Sequence, residues 1–442
     1  MLKTGKKIAK YWDYDEERNK VNCHLCPREC KLKEGQDGFC RVRGNTENKL
    51  YTYNFGKSIE ATIETIETEA VYHYRPGARI LSLGNIGCMM ACSFCQNWQT
   101  SQVKHLNISN VKIYSPQDVI DMALSNHIDI ISWTYNDPVV WQEFVVETSI
   151  LAKANGIKTL YKSALYIQRE PLAELIECID IFSISLKSMD DNLYRKITKG
   201  RLQPVLDGIK QIAASGKHLE ISQLVVTDLN DNAEDATKTA KWIVENLGTD
   251  IPLHFVAYHP AFHYQKPRTS DKKLIEARNL ALKEGIRYCY LGNIYNENVS
   301  NTICESCNNL LVQRFGLTVY NRGLDEQGKC KKCNTPSPIH GKVIEKQIIK
   351  NFTQIKEFTF NWNEKINSIH IVLPKGEVAS RLLKVTRIPS LDIEYFEMNE
   401  GVDRLILSRS KEDELGVKIA LDTDAEIHIL PVLDRAHFPV TT

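Results

Sequence analysis

Eleven of the thirteen cysteines in this 442-residue chain are gathered into three tight groups, and no other feature narrows its possible folds so far. The groups are Cys23, Cys26, Cys30 and Cys40; Cys88, Cys92 and Cys95; and Cys304, Cys307, Cys330 and Cys333. Close-set thiols form disulfides or bind metal, and the redox compartment decides between the two. The N-terminus, MLKTGKKIAKYWDYDEERNK, starts basic. It lacks the apolar stretch of about 7–15 residues and the small-residue cleavage site of a signal peptide. No apolar run approaches the roughly 18 residues that a membrane-spanning helix requires. The expected location is therefore the reducing cytoplasm, with no membrane partner, and the cysteine groups point to metal.

Between the first and last groups the hydrophobic pattern changes character. RILSL (79–83), DIISWT (129–134), IKTLYK (157–162), DIFSISL (180–186), HLEISQLVV (218–226), LHFVAY (253–258) and IRYCYL (286–291) read as strands. Longer segments with helical spacing, such as PQDVIDMALSNH, EFVVETSILAKAN and DATKTAKWIVENL, separate them. Repeated strand–helix–strand units predict an α/β fold with a parallel sheet, open or closed into a barrel. Seven strands make a partial or near-complete (β/α) barrel, one short of eight. The expected organisation is a Cys-rich module over 1–78, the barrel over 79–298, a zinc-ribbon-like module over 299–340 and a C-terminal α+β domain over 344–442. That last domain opens with a helical stretch and continues in runs such as SIHIVLP, DIEYFEM, DRLILSR, GVKIALD and AEIHILPVL. With 43% hydrophobic and 25% charged residues the chain can build ordinary globular cores. Lys plus Arg number 56 against 55 Asp plus Glu, so no basic excess is available for general nucleic-acid coating.

The chemistry concentrates in GNIGCMMACSFCQNW, directly after the first barrel strand, where active-site loops of such folds are found. Cys88, Cys92 and Cys95 stand at Cys-x3-Cys-x2-Cys spacing. Three thiolates suit three irons of a [4Fe–4S] cluster, which needs four ligands, and would leave one iron open to a small molecule. A zinc site or a chance grouping in a loop is the plainer alternative.

This spacing, with an aromatic residue before the third cysteine, resembles the radical S-adenosylmethionine (SAM) superfamily. The string CHLCPREC, FCQNW, TYNDP, SLKS, PLHFVAYHP, GN and a final CxxC pair resembles the AmmeMemoRadiSam-system radical SAM enzymes, relatives of the pyruvate formate-lyase activating enzymes. The resemblance implies a radical SAM barrel whose open iron chelates the amino and carboxylate groups of SAM, while the cluster donates the electron that cleaves it to methionine and a 5′-deoxyadenosyl radical. It further implies Phe94 near the adenine, Asn136 and Asp137 at the SAM amino group and Lys187 at its carboxylate. An electron donor such as flavodoxin or ferredoxin follows as a partner. Three places depart from the common family pattern. Asp137 stands where Glu is usual, Lys162 and Ser163 replace Thr-Asn-Gly, and Ser185 replaces the Asp before Lys187. His254 and His259, after the sixth strand, are expected at the barrel mouth, and Gly292 and Asn293 after the seventh.

The flanking groups carry separate readings. Cys23, Cys26, Cys30 and Cys40, with Gly35 and Gly38 for the bends between them, suit either zinc or an auxiliary iron–sulfur cluster. CESC and CKKC, 22 residues apart, resemble the paired knuckles of a structural zinc ribbon at Cys304, Cys307, Cys330 and Cys333. Cys178 and Cys289 read as core residues. The function expected is hydrogen abstraction by a radical SAM enzyme, from a small molecule or a partner protein; the alternative within that class is a glycyl-radical-enzyme activating enzyme. A non-catalytic iron–sulfur or zinc protein for electron transfer or RNA binding is the alternative of another class. The three-thiol site argues against a pure carrier, and the near-neutral charge argues against nucleic acid.

Overall fold

The computed structural model describes residues 3–294, 299–345, 356–362, 366–372, 381–389, 393–398, 404–409, 414–421 and 428–433. Its contacts divide into two compact units, Met1–Lys346 and Gln347–Thr442.

The first unit is built on one eight-stranded sheet. Strand β1 (Thr62–Thr65) is an antiparallel edge; β2 (Arg79–Gly84), β3 (Ile130–Thr134), β4 (Lys158–Ser163), β5 (Ile181–Leu186), β6 (His218–Val225), β7 (Leu253–Ala257) and β8 (Cys289–Gly292) follow it in sequence order, all parallel. This is a partial barrel. The seven parallel strands coincide with the seven sequence runs to within a few residues. The eighth strand comes from residues N-terminal to the expected barrel boundary, so the sheet begins before residue 79.

Helices α1 (Pro116–Ser125), α2 (Gln142–Ala154), α3 (Arg169–Cys178), α4 (Asp191–Thr198), α5 (Leu202–Ala214), α6 (Ala233–Leu247) and α7 (Asp271–Lys283) occupy the crossovers. Their starts follow local chemistry. Ser115 and Asp118 form a reciprocal capping box before α1, with Pro116 in the first helical position, and Asn232 and Ser270 cap α6 and α7.

Alternation along each strand sorts its residues between the helices and the lumen. Leu81, Ile131, Trp133, Phe182, Ile184, Ile221 and Phe255 join the large helix-side core. The first inward residues, Ile80, Ile130, Leu160 and Ile181, pack with Ile66, Val71 and Ala78 into an apolar floor. The segment before β2 thus plugs the barrel at the N-terminal ends of its strands. Further along the strands the inward residues turn polar: Ser132, Lys162, Ser183 and Ser222, joined by Glu69 from the plug.

The N-terminal residues are not a separate body. Val21, Leu25, Val42 and Leu50 share the barrel's main core. Buried Arg43 meets Glu143 of α2 through Nη1 at 2.8 and 3.1 Å. At the other flank, Arg314 reaches from the ribbon strand Leu310–Phe315 to the Thr302 hydroxyl at 2.8 Å and the Tyr72 carbonyl at 2.6 Å.

The second unit holds two antiparallel sheets. One orders Lys356–Asn361, Gly416–Leu421, Arg381–Ile388 and Ile393–Met398; the other Arg404–Ser408, Ile366–Val372 and His428–Leu433. Ile369, Ile371, Leu407, Leu383, Val385, Val417 and Ile419 from both sheets share one core. Among the described residues this unit contains strands alone. The helical stretch expected after residue 344 falls mainly on 346–355, outside the described residues.

Breaking a buried ion pair strands the remaining charge. Glu143→Ala is expected to cost about 3–5 kcal/mol of stability. Removing the exposed Lys158–Asp180 pair should cost no more than about 1 kcal/mol. Urea denaturation of both variants beside the parent checks the contrast.

Candidate active site at the C-terminal ends of the barrel strands

The loop leaving β2 carries Cys88, Cys92 and Cys95, and it is pinned at both ends. The Asn85 amide donates to the Asp137 carbonyl at 2.9 Å and the Asn97 amide to the Tyr135 carbonyl at 2.8 Å, so the loop after β3 grips both flanks of the motif. Its middle is held elsewhere: Ala91 N–H donates to Thr198 O, Ser93 N–H to Ile197 O, and Ser93 O accepts from His263 N–H. Tyr135 takes a left-handed backbone conformation at φ 63° and packs over Gly84, where a Cβ would lie 2.7 Å from the tyrosine ring. The Met90 N–H points at Cys88 Sγ from 3.3 Å, and Cys95 Sγ lies 3.3 Å from the Ser101 hydroxyl.

Burial pushes the Cys88 thiol well above its ordinary range, with Asp137 adding to the shift, and pushes Cys92 up to about 12 against the pull of Lys187. Such thiols ionise when a metal supplies the missing positive charge. These effects also place Asp137 and Lys187 beside the cysteine loop, at the ends of β3 and β5.

The two residues differ in how far they are committed. Asp137 is buried, and its carboxylate accepts from Ser163 Oγ at 2.8 Å, Ala164 N–H at 2.7 Å and Val139 N–H at 3.2 Å. It thereby clamps the loop after β3 to the end of β4. Burial pushes its carboxyl above the usual range, against those hydrogen bonds and Lys187. The Asn136 amide is likewise engaged, with the Asn85 carbonyl and the Thr100 hydroxyl. The Lys187 carbonyl accepts from the Asn230 amide at 2.7 Å, and among the described residues its ammonium has neither hydrogen bond nor ion pair. It is half-buried and close to Cys92. Phe94 is buried in an apolar wall with Ile197, Val226 and Tyr258.

One expectation changes. His254 is the second residue of β7, so it lies near the closed end of the barrel rather than at the mouth. There it donates to Glu220 at 2.7 Å and stands edge-on to Tyr72. His259, in the loop after β7, does lie at the C-terminal end. Lys162 points into the lumen, where its ammonium donates to the Glu69 carbonyl and to the Ser183 and Ser222 hydroxyls, each at 3.0 Å. Burial pulls this lysine down to about 8 against the Glu69 carboxylate.

Sequence reasoning missed Glu69, Glu220 and Tyr135. Glu69 accepts from Ser132 and Thr134 inside the lumen, and no local pattern marks a carboxylate in the plug for that position. The asparagines flanking the cysteine motif, Asn85 and Asn97, were the legible signal for the clamp.

The ribbon cysteines form the tightest ligand group. All four sulfurs lie within 4.8 Å of one another, with 3.5 Å between Cys304 and Cys333 and 3.7 Å between Cys307 and Cys330. A tetrahedral ion with metal–sulfur bonds of about 2.3 Å sets its ligand sulfurs about 3.8 Å apart. The two knuckles match each other: Asn308 N–H donates to Cys304 O and Asn334 N–H to Cys330 O, each asparagine in the left-handed region.

The family model described as the radical SAM superfamily matches residues 85–243, from the start of the cysteine loop into α6. An uncharacterized protein of Methanocaldococcus jannaschii is 36% identical over 317 residues, covering 71% of this chain and 94% of its own length. The chain belongs to the radical SAM superfamily. It is an enzyme, and the reductive cleavage of SAM with a [4Fe–4S] cluster is the chemistry general to that superfamily. The pyruvate formate-lyase-activating enzyme of Clostridium pasteurianum is 24% identical, over 39% of this chain and 72% of its own. A crystallised domain of pyruvate-formate lyase-activating enzyme from Bacteroides vulgatus aligns at 17% identity with a TM-score of 0.33, covering 37% of this chain and 98% of that one. No helix among the described residues of this radical SAM protein is long and apolar enough to cross a membrane.

The clamp and the free cation should separate by stability. Asp137→Ala leaves the Ser163 hydroxyl and the Ala164 N–H buried without an acceptor and is expected to cost about 1.5–3 kcal/mol. Lys187→Ala breaks no bond and should shift stability by no more than about 0.5 kcal/mol. Denaturation midpoints of the two variants check this.

Proposed function

We propose that Cys88, Cys92 and Cys95 hold a [4Fe–4S] cluster, that SAM binds at its open iron, and that the enzyme abstracts hydrogen from a substrate lodged in the barrel lumen. The observation that carries this reading is one loop of three thiols at the C-terminal ends of the barrel strands, pinned at both flanks, with the Lys187 side chain, unpartnered among the described residues, close to Cys92 and Asp137. When bound, the cluster and SAM together supply the electron and the 5′-deoxyadenosyl radical.

The protein's own part is positioning. Lys187 meets the SAM carboxylate by a charge-assisted hydrogen bond. Phe94 and its apolar neighbours make a wall that suits the adenine. Asn136 and Asp137 act as positioning residues, because their polar atoms are already engaged in holding the cysteine loop to the ends of β3 and β4. Lys162, Glu69 and the serines line the lumen with donors and acceptors over an apolar floor, which suits a small polar substrate. The activating-enzyme reading stands as the alternative, supported by the named relatives of that type. The narrower kinship with AmmeMemoRadiSam-system enzymes rests on the motif string alone.

The ribbon sulfurs fit zinc, and its role in this reading is structural. Through Arg314 the ribbon attaches to Tyr72 in the plug, at the opposite end of the barrel from the cysteine loop. The setting is the reducing cytoplasm, in keeping with thirteen cysteines that are all free of disulfides, and the donor is of the flavodoxin or ferredoxin type. The second unit selects or docks the substrate.

Anaerobically reconstituted, reduced protein is expected to convert SAM to 5′-deoxyadenosine, and the triple variant Cys88→Ala, Cys92→Ala, Cys95→Ala to form none. Lys187→Ala should weaken SAM binding about ten- to a hundred-fold with the cluster spectrum unchanged. Product formation by the triple variant at the parent rate would overturn the assignment. A chain ending at Lys346 is expected to cleave SAM but to lose turnover of the native substrate; full turnover would remove the docking role of residues 347–442.

A further inference from the structure

The segment from Cys23 to Cys40 folds around a pocket that the SAM chemistry does not use. Its wall is made by Cys23, Cys26, Cys30 and Cys40, with Phe39 and, from the barrel loop, Met89. Short-range backbone bonds fix the four thiols: Cys23 N–H donates to Cys30 O at 2.9 Å, and Glu29, at φ 45°, returns its N–H to Cys26 O at 3.1 Å. At Gly38 a Cβ would stand 3.7 Å from Cys30 Sγ, in ordinary van der Waals contact with that thiol.

The same molecule supplies a standard of comparison. The ribbon sulfurs have closed to tetrahedral spacing, and among the described residues theirs is the one group of ligand atoms that all lie within 4.8 Å of one another. The four N-terminal sulfurs stand wider, around a cavity instead of a point. A single zinc ion would have to draw them to about 3.8 Å. A cubane of four irons and four sulfides, with one thiolate on each iron, fills the space between sulfurs that stand apart.

We infer that Cys23, Cys26, Cys30 and Cys40 bind a second [4Fe–4S] cluster rather than zinc. With four protein thiolates its coordination is complete, so it has no open iron for SAM or substrate. Its neighbour is the first cysteine loop. Met89, next in sequence to Cys88, forms part of the pocket wall. Gly87 adopts φ +89°, and a Cβ there would lie 2.9 Å from the Cys40 carbonyl oxygen, so the two loops meet backbone to backbone. Arg28 ties them further, donating to the carbonyls of Met89 and Lys199.

Metal content of the full chain, reconstituted anaerobically with ferrous iron and sulfide in the presence of zinc, tests the inference. The parent is expected to hold about eight irons and about one zinc per chain. The triple variant at Cys88, Cys92 and Cys95 should keep about four irons, about one zinc and the electron paramagnetic resonance signal of a reduced [4Fe–4S] cluster. The double variant Cys26→Ser, Cys30→Ser should lose about half of the parent's iron, with its ribbon zinc reporting that the protein is folded. A triple variant with no iron and about two zincs overturns the inference and leaves the SAM reading intact. A parent with only about four irons, all retained in the triple variant, supports it while overturning the assignment of the first cluster to Cys88, Cys92 and Cys95.

Discussion

A single buried carboxylate holds the closed end of this barrel together. Glu220 accepts the backbone N–H groups of Tyr72 and His73 from the plug, and the ring nitrogens of His218 on its own strand and His254 on the next. Burial pushes its carboxyl up, but the bonds from His218 and His254 outweigh that and hold it well below its ordinary range, so it stays ionised. Burial keeps His254 on the neutral side against the pull of Glu220. A buried charge is tolerated only when its lone pairs are filled, and here strands and plug fill them together. The plug cannot leave without stranding that charge. With the floor fixed, the lumen opens in one direction, toward the strand ends that carry the cysteine loop.

From that fixed floor the layers follow by alternation. Each strand presents its first inward side chain to the apolar floor and later ones to the polar lumen, so Ile130 and Ser132, or Ile181 and Ser183, serve different layers from one strand. The cysteine loop and the ribbon are thereby separated by the depth of the barrel. Arg314 and Tyr72 belong to one end; Lys187, Asp137 and the cysteine loop belong to the other.

The strands were legible in the sequence because each is a short run bounded by turn residues whose helix-facing positions are largely apolar, even where its inward positions turn polar. The ribbon was legible because paired CxxC knuckles encode their own geometry. His254 was misplaced for a physical reason: position within a strand, not proximity to its end in the sequence, decides which end of a barrel a side chain occupies. PLHFVAYHP contains one histidine for each end. Asp137 lies close to the cysteine loop, but three donors engage its carboxylate, and that competition belongs to tertiary structure. Glu69 and Glu220 carried no signal because their partners are backbone groups and hydroxyls on other elements. Five of the second unit's described strands coincide with the alternating runs, whereas Lys356–Asn361 and Arg381–Ile388 had no run assigned to them.

Gly87 carries a consequence for how such a protein can change over generations. Its left-handed backbone excludes nearly every other residue, and the carbonyl of Cys40 occupies the place where a side chain would begin. The N-terminal module is therefore no interchangeable cassette. Exchanging the module alone would leave the loop that carries Cys88 shaped for a neighbour it no longer has, even though some fifty residues separate the two stretches in the sequence.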